Sequence, residues 1–174
     1  FGSASWGSMA NAMPNSIGIQ LAQPNRQVIA LCGDGGMSML MGELITIAER
    51  QLPVKLFVLN NGMLDFVNIE FQEAGLRPFG TTLWNPDFAK VAEAIGLTGI
   101  RIEDPTTMTE QVRDALAHPG PVLIDVVVEK HALAVPPHVT PTIVRRFGFS
   151  AARQVLHGDI KDVAAEADKN IGLL

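Results

Sequence analysis

The sequence has one cysteine, Cys32, so neither a disulfide framework nor a cysteine metal cluster can be built from it. It has no basic surplus. Thirteen Lys and Arg stand against 18 Asp and Glu, for a net charge of -5. Without a basic stripe to neutralise phosphates, nucleic acid is excluded as a partner. No apolar run is long enough to span a bilayer, and no signal peptide is visible. The chain opens on Phe1 without an initiator Met, and a domain boundary is expected there. What is present is core material: 47% of residues are hydrophobic and 18% charged, a balance that excludes disorder. A length of 174 residues suits one domain.

Periodicity predicts a helix over Ser8 to Ala22, bent at Pro14, then a buried strand over Gln27 to Cys32. The VIALCGDG setting makes Cys32 an inert core thiol. Met37 to Arg50 reads as one helix, with Met37, Met39 and Met41 in its core and Glu43 solvated or capping. Val54 to Leu59 reads as a second buried strand. Gly75, Pro78 and Gly80 suggest a long loop over Phe66 to Trp84. A helix follows over Pro86 to Ile95, with Asn85 as N-cap. Then come a strand at Thr98 to Ile102, a helix from Thr106 or Thr107 to Ala117, and a strand at Pro121 to Val128. Such alternation predicts an α/β fold, a doubly wound, mostly parallel sheet with helices on both faces. The prolines after Glu129 predict a connector, and helices at Ser150 to His157 and Asp159 to Asn170 a helical C-terminal tail. The expected organisation is 1–128 as an α/β domain, 129–149 as connector and 150–174 as tail.

Ligands of such sheets sit beyond the carboxyl ends of the strands. Two predicted strand ends carry unusual residues, Gly33-Asp34-Gly35-Gly36 and Asn60-Asn61-Gly62. Glycines at a strand-to-helix turn admit a ligand close to the backbone, and the helix start favours an anion such as phosphate. A carboxylate beside a phosphate makes sense with a cation between them, and Mg2+ takes oxygen ligands from one or two side chains plus phosphate and water. Asn60-Asn61 offers a neutral oxygen, and Gly62 lets a backbone carbonyl turn toward the metal. A bare Gly-Asp-Gly is as often only a tight turn. The dinucleotide fingerprint fails at Ser38, and no Gly-Lys-Ser/Thr follows to make a phosphate loop of the Walker type.

Gly33-Asp34-Gly35, then residues 36 to 59, then Asn60-Asn61 resembles the cofactor motif of the thiamine diphosphate enzymes of the pyruvate oxidase, acetolactate synthase and pyruvate decarboxylase superfamily. The resemblance implies that Asp34, the Asn61 side chain and the Met63 carbonyl ligate Mg2+. It implies that the amides of Gly35 and Gly36, after Gly33, approach the diphosphate. Upstream, Gly7-Ser8-Met9 also matches. Met9, 25 positions before Asp34, corresponds to the apolar residue that wedges the cofactor into a V shape, and the Gly7 carbonyl to the acceptor of the aminopyrimidine. That shape presets the reacting geometry. The activating glutamate is expected from a separate domain of a neighbouring subunit, so no catalytic residue is assigned here. His118, His131, His138 and His157 lack metal-ligand spacing and are read as surface or loop residues.

Gly7 to Pro14, Cys32 to Met41, Leu52 to Lys55, Pro121 to Val128 and Leu133 to Pro137 resemble bacterial quinone-dependent pyruvate oxidase. Trp6, where that family has a polar residue, is a departure. Phe66 is expected near the active site or in the core. The resemblance implies a parent that converts pyruvate, or a related 2-oxo acid, to acetate and CO2. Its middle domain would hold FAD, quinone would accept the electrons, and it would assemble as a homodimer or homotetramer in the cytoplasm. The isolated chain is expected to be inactive. Alternatives are an acetolactate synthase-type carboligase and a non-catalytic binding or assembly module. In the tail, Ile160, Val163, Ala164, Ala167 and Ile171 share one helical face, with Lys161, Asp162, Glu166 and Asp168 largely off it. This alanine-rich face is expected to pack at rest, with at most weak contact with the inner face of the plasma membrane.

Overall fold

Four short runs rich in β-branched and aliphatic residues pair in parallel: β1 (Ile29–Gly33), β2 (Lys55–Asn60), β3 (Thr98–Ile102) and β4 (Val122–Val127), in the order β1-β2-β4-β3. The computed structural model describes residues 2–132 and 140–170. Leu133 to Pro137, His138 and Ile171 lie outside them. The helices are α1 (Ala12–Ala22), α2 (Asp34–Met39), α3 (Leu44–Arg50), α4 (Asp65–Glu73), α5 (Phe88–Ile95), α6 (Met108–Ala117), α7 (Pro141–Leu156) and α8 (Ile160–Asn170). The expected α/β fold with helices on both faces of a parallel sheet is present, together with C-terminal helices. By internal contacts the chain divides into two compact units, Phe1–Gly62 with Trp84–Val128, and Met63–Leu83 with Glu129–Leu174.

In the first unit the two-residue period of the strands sorts side chains between two cores. On one face Ala30, Cys32, Leu56, Val58 and Leu123 are buried against Met13 of α1, Met37 of α2, Leu44 and Ile47 of α3, and Phe88 and Ala92 of α5. On the other, Val122, Ile124 and Ile102 pack with Ala115 of α6. Gly99 makes the α5 contact possible: a Cβ there would lie 2.1 Å from the Ala89 carbonyl oxygen. The Cys32 thiol is buried, and desolvation pushes it up to about 11, against a smaller opposite effect of a hydrogen bond with the Met13 backbone. Lys55 is also fully buried at the start of β2. Its Nζ donates to the carbonyls of His118, 2.7 Å away, and Gly120. The ammonium thus satisfies acceptors at and just beyond the C-terminal end of α6, where a positive charge is favoured.

Several boundaries differ from expectation. The first helix begins at Ala12, so Pro14 falls in its first turn, where its missing N–H removes no bond and no bend is needed. The expected helix over Met37 to Arg50 begins at Asp34 and breaks at Leu40 (φ -125°, ψ 24°) into α2, a 3-10 turn over Met41–Glu43, and α3. Met37 is core, whereas Met39 is exposed and Met41 half-buried. Glu43 is exposed and accepts a hydrogen bond from Thr46 Oγ1 at 2.9 Å.

The second unit shows the larger departures. Helix α4 occupies much of the expected loop; its buried positions are Asn68, Ile69 and Gln72. Two of these are polar, so no apolar period announced the helix. Gln72 Nε2 donates to Glu166 of α8 at 3.1 Å. Phe66 is 77% exposed, which removes the core reading for it. Helix α7 starts at Pro141, within the expected connector. Thr140 caps it by accepting from Ile143 N, and Pro141 stands in the first turn. Ser150 Oγ donates to Leu76 O at 2.6 Å, and Arg77 forms a two-point pair with Asp159 at 2.7 and 3.2 Å. On α8 Val163 and Glu166 are half-buried and Asn170 buried, while Ile160, Ala164 and Ala167 are exposed. The inward side is therefore not the expected apolar face. Among the described residues, no helix is long and apolar enough to cross a membrane.

Candidate functional site

Parallel pairing of β1 with β2 places Gly33 opposite Leu59, so the residues following each strand emerge side by side. Gly33 is the extended N-cap of α2, and Asp34 is that helix's first residue. The Asp34 side chain is buried. Its Oδ1 accepts from Gly35 N at 2.8 Å, and its Oδ2 from Gly62 N at 2.7 Å and Asn85 Nδ2 at 2.7 Å. Gly62 adopts φ +70°, a left-handed conformation that suits glycine and aims its N–H at the carboxylate. Asn61, half-buried, stands between Asn60 and Gly62 at this mouth.

The two asparagines of the doublet differ in employment. Asn60 is buried; its Oδ1 accepts from Asn85 Nδ2 at 2.9 Å and its Nδ2 donates to Asp125 Oδ1 at 2.9 Å. Asp125, fully buried on β4, also accepts from Phe88 N at 3.1 Å and Arg101 Nη1 at 2.5 Å. Arg101 in turn pairs with Glu103 at 2.7 Å. Burial opposes the Arg101 charge, but its bond to Glu103 and the charge of Asp125 outweigh that and hold it above its ordinary value. Charge on the buried Asp125 is thus balanced, which a lone buried carboxylate requires.

The N-terminal segment reaches the same turn. A Cβ on Gly36 would lie 3.4 Å from the backbone of Ala10, so the residues around Met9 lie against Asp34's helix. Ala10 itself takes φ +63° and Gly7 φ +57°. Met9 is 49% exposed, an uncovered apolar side chain beside a polar turn. Met63 belongs to the second unit, where it forms an isolated antiparallel bridge with Thr82.

Gly7, Met9, Gly33, Asp34, Gly35, Gly36 and Asn61 all belong to the first unit. The Gly35 amide is already engaged by Asp34. Asn85 was missed as a site residue because an Asn before Pro86 reads as a helix cap. The cap is instead Asp87, which accepts from Lys90 N at 3.1 Å. That bond is the largest cause holding Asp87 below the usual carboxylate range. No sequence period relates Asn85, Asn60 and Asp125, since they come from the approach to α5, the end of β2 and the interior of β4.

The donor set suits a hard divalent cation. An ionised carboxylate offers about four lone-pair sites, and Asp34 fills three with the donors named above. Among the described residues, no group of three or more His, Cys, Asp or Glu is placed to hold a metal. A cation at Asp34 would draw its other ligands from amide and backbone oxygens, a phosphate and water, the Mg2+ pattern.

Over 126 residues the chain is 36% identical to YdaP of Bacillus subtilis (strain 168), described as thiamine pyrophosphate-containing, covering 72% of this chain and 22% of that protein. It is 38% identical over 127 residues to the acetolactate synthase large subunit of Porphyra purpurea, 71% of this chain and 21% of that protein. With the mitochondrial acetolactate synthase catalytic subunit of Saccharomyces cerevisiae (strain ATCC 204508 / S288c) it shares 35% identity over 133 residues, 75% and 19% of the two chains. The chain thus spans about a fifth of the length of these relatives. Residues 1–126 match the family "Thiamine pyrophosphate enzyme, C-terminal TPP binding domain", so this chain belongs to that family and is the TPP-binding domain of a thiamine diphosphate-dependent enzyme.

Proposed function

We propose that this domain holds the diphosphate and Mg2+ of thiamine diphosphate in a 2-oxo acid decarboxylating enzyme of the acetolactate synthase type. The observation that carries the cofactor reading is the buried Asp34 carboxylate at the end of β1, tied to Gly62 beyond β2. Asp34, the Asn61 side chain and the Met63 carbonyl would hold the metal. Gly33, Gly35 and Gly36 would let the diphosphate approach, and Gly7 and Met9 would seat the rest of the cofactor. Bound there, the cofactor supplies a carbon nucleophile to the 2-oxo acid. The residues of this chain bind and orient it, and the activating glutamate would come from another domain of a neighbouring subunit in a homo-oligomer.

The relatives support the carboligase reading over the pyruvate:quinone oxidoreductase expected from the sequence runs. The oxidoreductase, with FAD and quinone, remains the second reading, favoured by the runs at Gly7 to Pro14 and Leu52 to Lys55. Supplying pyruvate to the full-length protein separates the two: acetolactate supports the first, acetate with quinone reduction the second. Asp34→Ala in that protein should abolish retention of thiamine diphosphate and Mg2+; retention equal to wild type overturns the cofactor reading. The isolated chain should turn over no pyruvate and bind the cofactor weakly, because half of the site must still offset the ligand's ordering cost. A submicromolar dissociation constant by calorimetry would contradict this.

A further inference from the structure

Asn85 lies 51 residues beyond Asp34, in the stretch leading to α5, yet its Nδ2 bridges Asp34 Oδ2 (2.7 Å) and Asn60 Oδ1 (2.9 Å). Chemistry fixes the orientation of both amides. An ionised carboxylate can only accept, so the Asn85 nitrogen faces Asp34 and the Asn60 nitrogen faces Asp125, leaving the Asn60 oxygen toward Asn85. The far end is anchored by Phe88 N and Arg101 on Asp125. Both hydrogens of the Asn85 amide are therefore committed.

The consequence concerns which oxygen of Asp34 is open. Oδ2 takes two donors, Gly62 N and Asn85 Nδ2, and so has both lone-pair directions filled. Among the described residues Oδ1 takes only Gly35 N and keeps one. We infer that Asn85 is a positioning residue that saturates Asp34 Oδ2 and restricts the carboxylate to one-point metal ligation through Oδ1. This rests on the reading of Asp34 as a metal ligand. One-point ligation suits Mg2+, which demands tight octahedral geometry. Ca2+ is larger and accepts carboxylates through both oxygens. The bridge therefore acts on metal choice as well as affinity, in the way that outer hydrogen-bond partners tune metal sites.

The test uses the full-length enzyme, with Mg2+ and Ca2+ affinities measured separately by calorimetry at saturating thiamine diphosphate. Asn85→Ala should weaken Mg2+ binding by about 10-fold to 100-fold and Ca2+ binding much less, shifting the Mg2+/Ca2+ ratio by about tenfold. Asn85→Ser, which keeps one small donor, should lie between; it carries the test if the alanine variant does not fold. A purely structural role would lower the melting temperature of the metal-free protein and leave the ratio within twofold of wild type, which would overturn the inference. Asp34→Ala is the control. If it too binds both metals as wild type does, the metal reading itself falls. If it loses both while the Asn85 variants keep the wild-type ratio, only the role of Asn85 falls.

Discussion

Asp34 Oδ2 and the Gly62 amide, 28 residues apart, meet at 2.7 Å. Parallel pairing brings the two strand ends together, and this one bond locks the turn after β2 to the turn after β1. Gly62 can make it because at φ +70° it needs no Cβ.

Gly62→Ala should therefore strain the turn by about 1–2 kcal/mol, the usual cost of a left-handed non-glycine residue. It should also loosen the Asp34 carboxylate. Chemical denaturation of the full-length protein should show the loss, and thiamine diphosphate should bind more weakly at fixed Mg2+. Unchanged stability and unchanged cofactor affinity together would mean that the turn does not depend on a left-handed glycine.

Gly99→Ala addresses packing alone. The new Cβ would sit 2.1 Å from the Ala89 carbonyl oxygen, a backbone atom that cannot rotate away. Helix α5 must shift, at a cost of about 1–3 kcal/mol typical of overpacking. Because α5 carries the Phe88 amide that holds Asp125, metal affinity should weaken slightly as well. A melting temperature equal to wild type would count against so close an approach of α5 to β3.

Glu166 gives the second unit a pH signature. Desolvation raises its carboxyl above the ordinary value, and the hydrogen bond from Gln72 only partly offsets this. The folded form thus keeps a proton at pH values where the unfolded chain has lost it. Glu166's contribution is full below its ordinary unfolded value and is lost as pH rises through the higher folded one. Glu166→Gln should accordingly stabilise the protein at neutral pH, with the advantage vanishing in acid. Melting curves of both proteins from acid to neutral pH decide this, and a constant difference across that range would rule it out.

Helix α8 turns Val163, Glu166 and Asn170 inward, which leaves the alanine-rich face outward with little apolar area for lipid. Truncation after Asp159 removes α8 while keeping the Arg77 pair. Liposome flotation of the full-length protein with pyruvate should be weak and alter less than twofold on truncation. Strong flotation that disappears with α8 would establish a membrane role for it.

The sequence by itself determined the alternating strands and helices, because aliphatic runs of strand length and apolar stripes of helical period are local signals. It also located two strand ends, since Asp34 and Asn61 each follow a strand legible from its own residues. The exit of Lys55 from solvent and the burial of Asn68 and Gln72 on α4 were decided by tertiary structure, whereas the Thr140 cap of α7 is a local bond from Ile143 N. In the first two cases a polar side chain is buried only because acceptors or donors distant in sequence satisfy it, and a residue type that is usually exposed gives no advance sign of that. The bridge from Asp34 through Asn85 and Asn60 to Asp125 belongs to the same class. Hydrogen bonds depend on distance and direction in space, so partners drawn from the start of α2, from β2, from β4 and from the approach to α5 share no spacing along the chain.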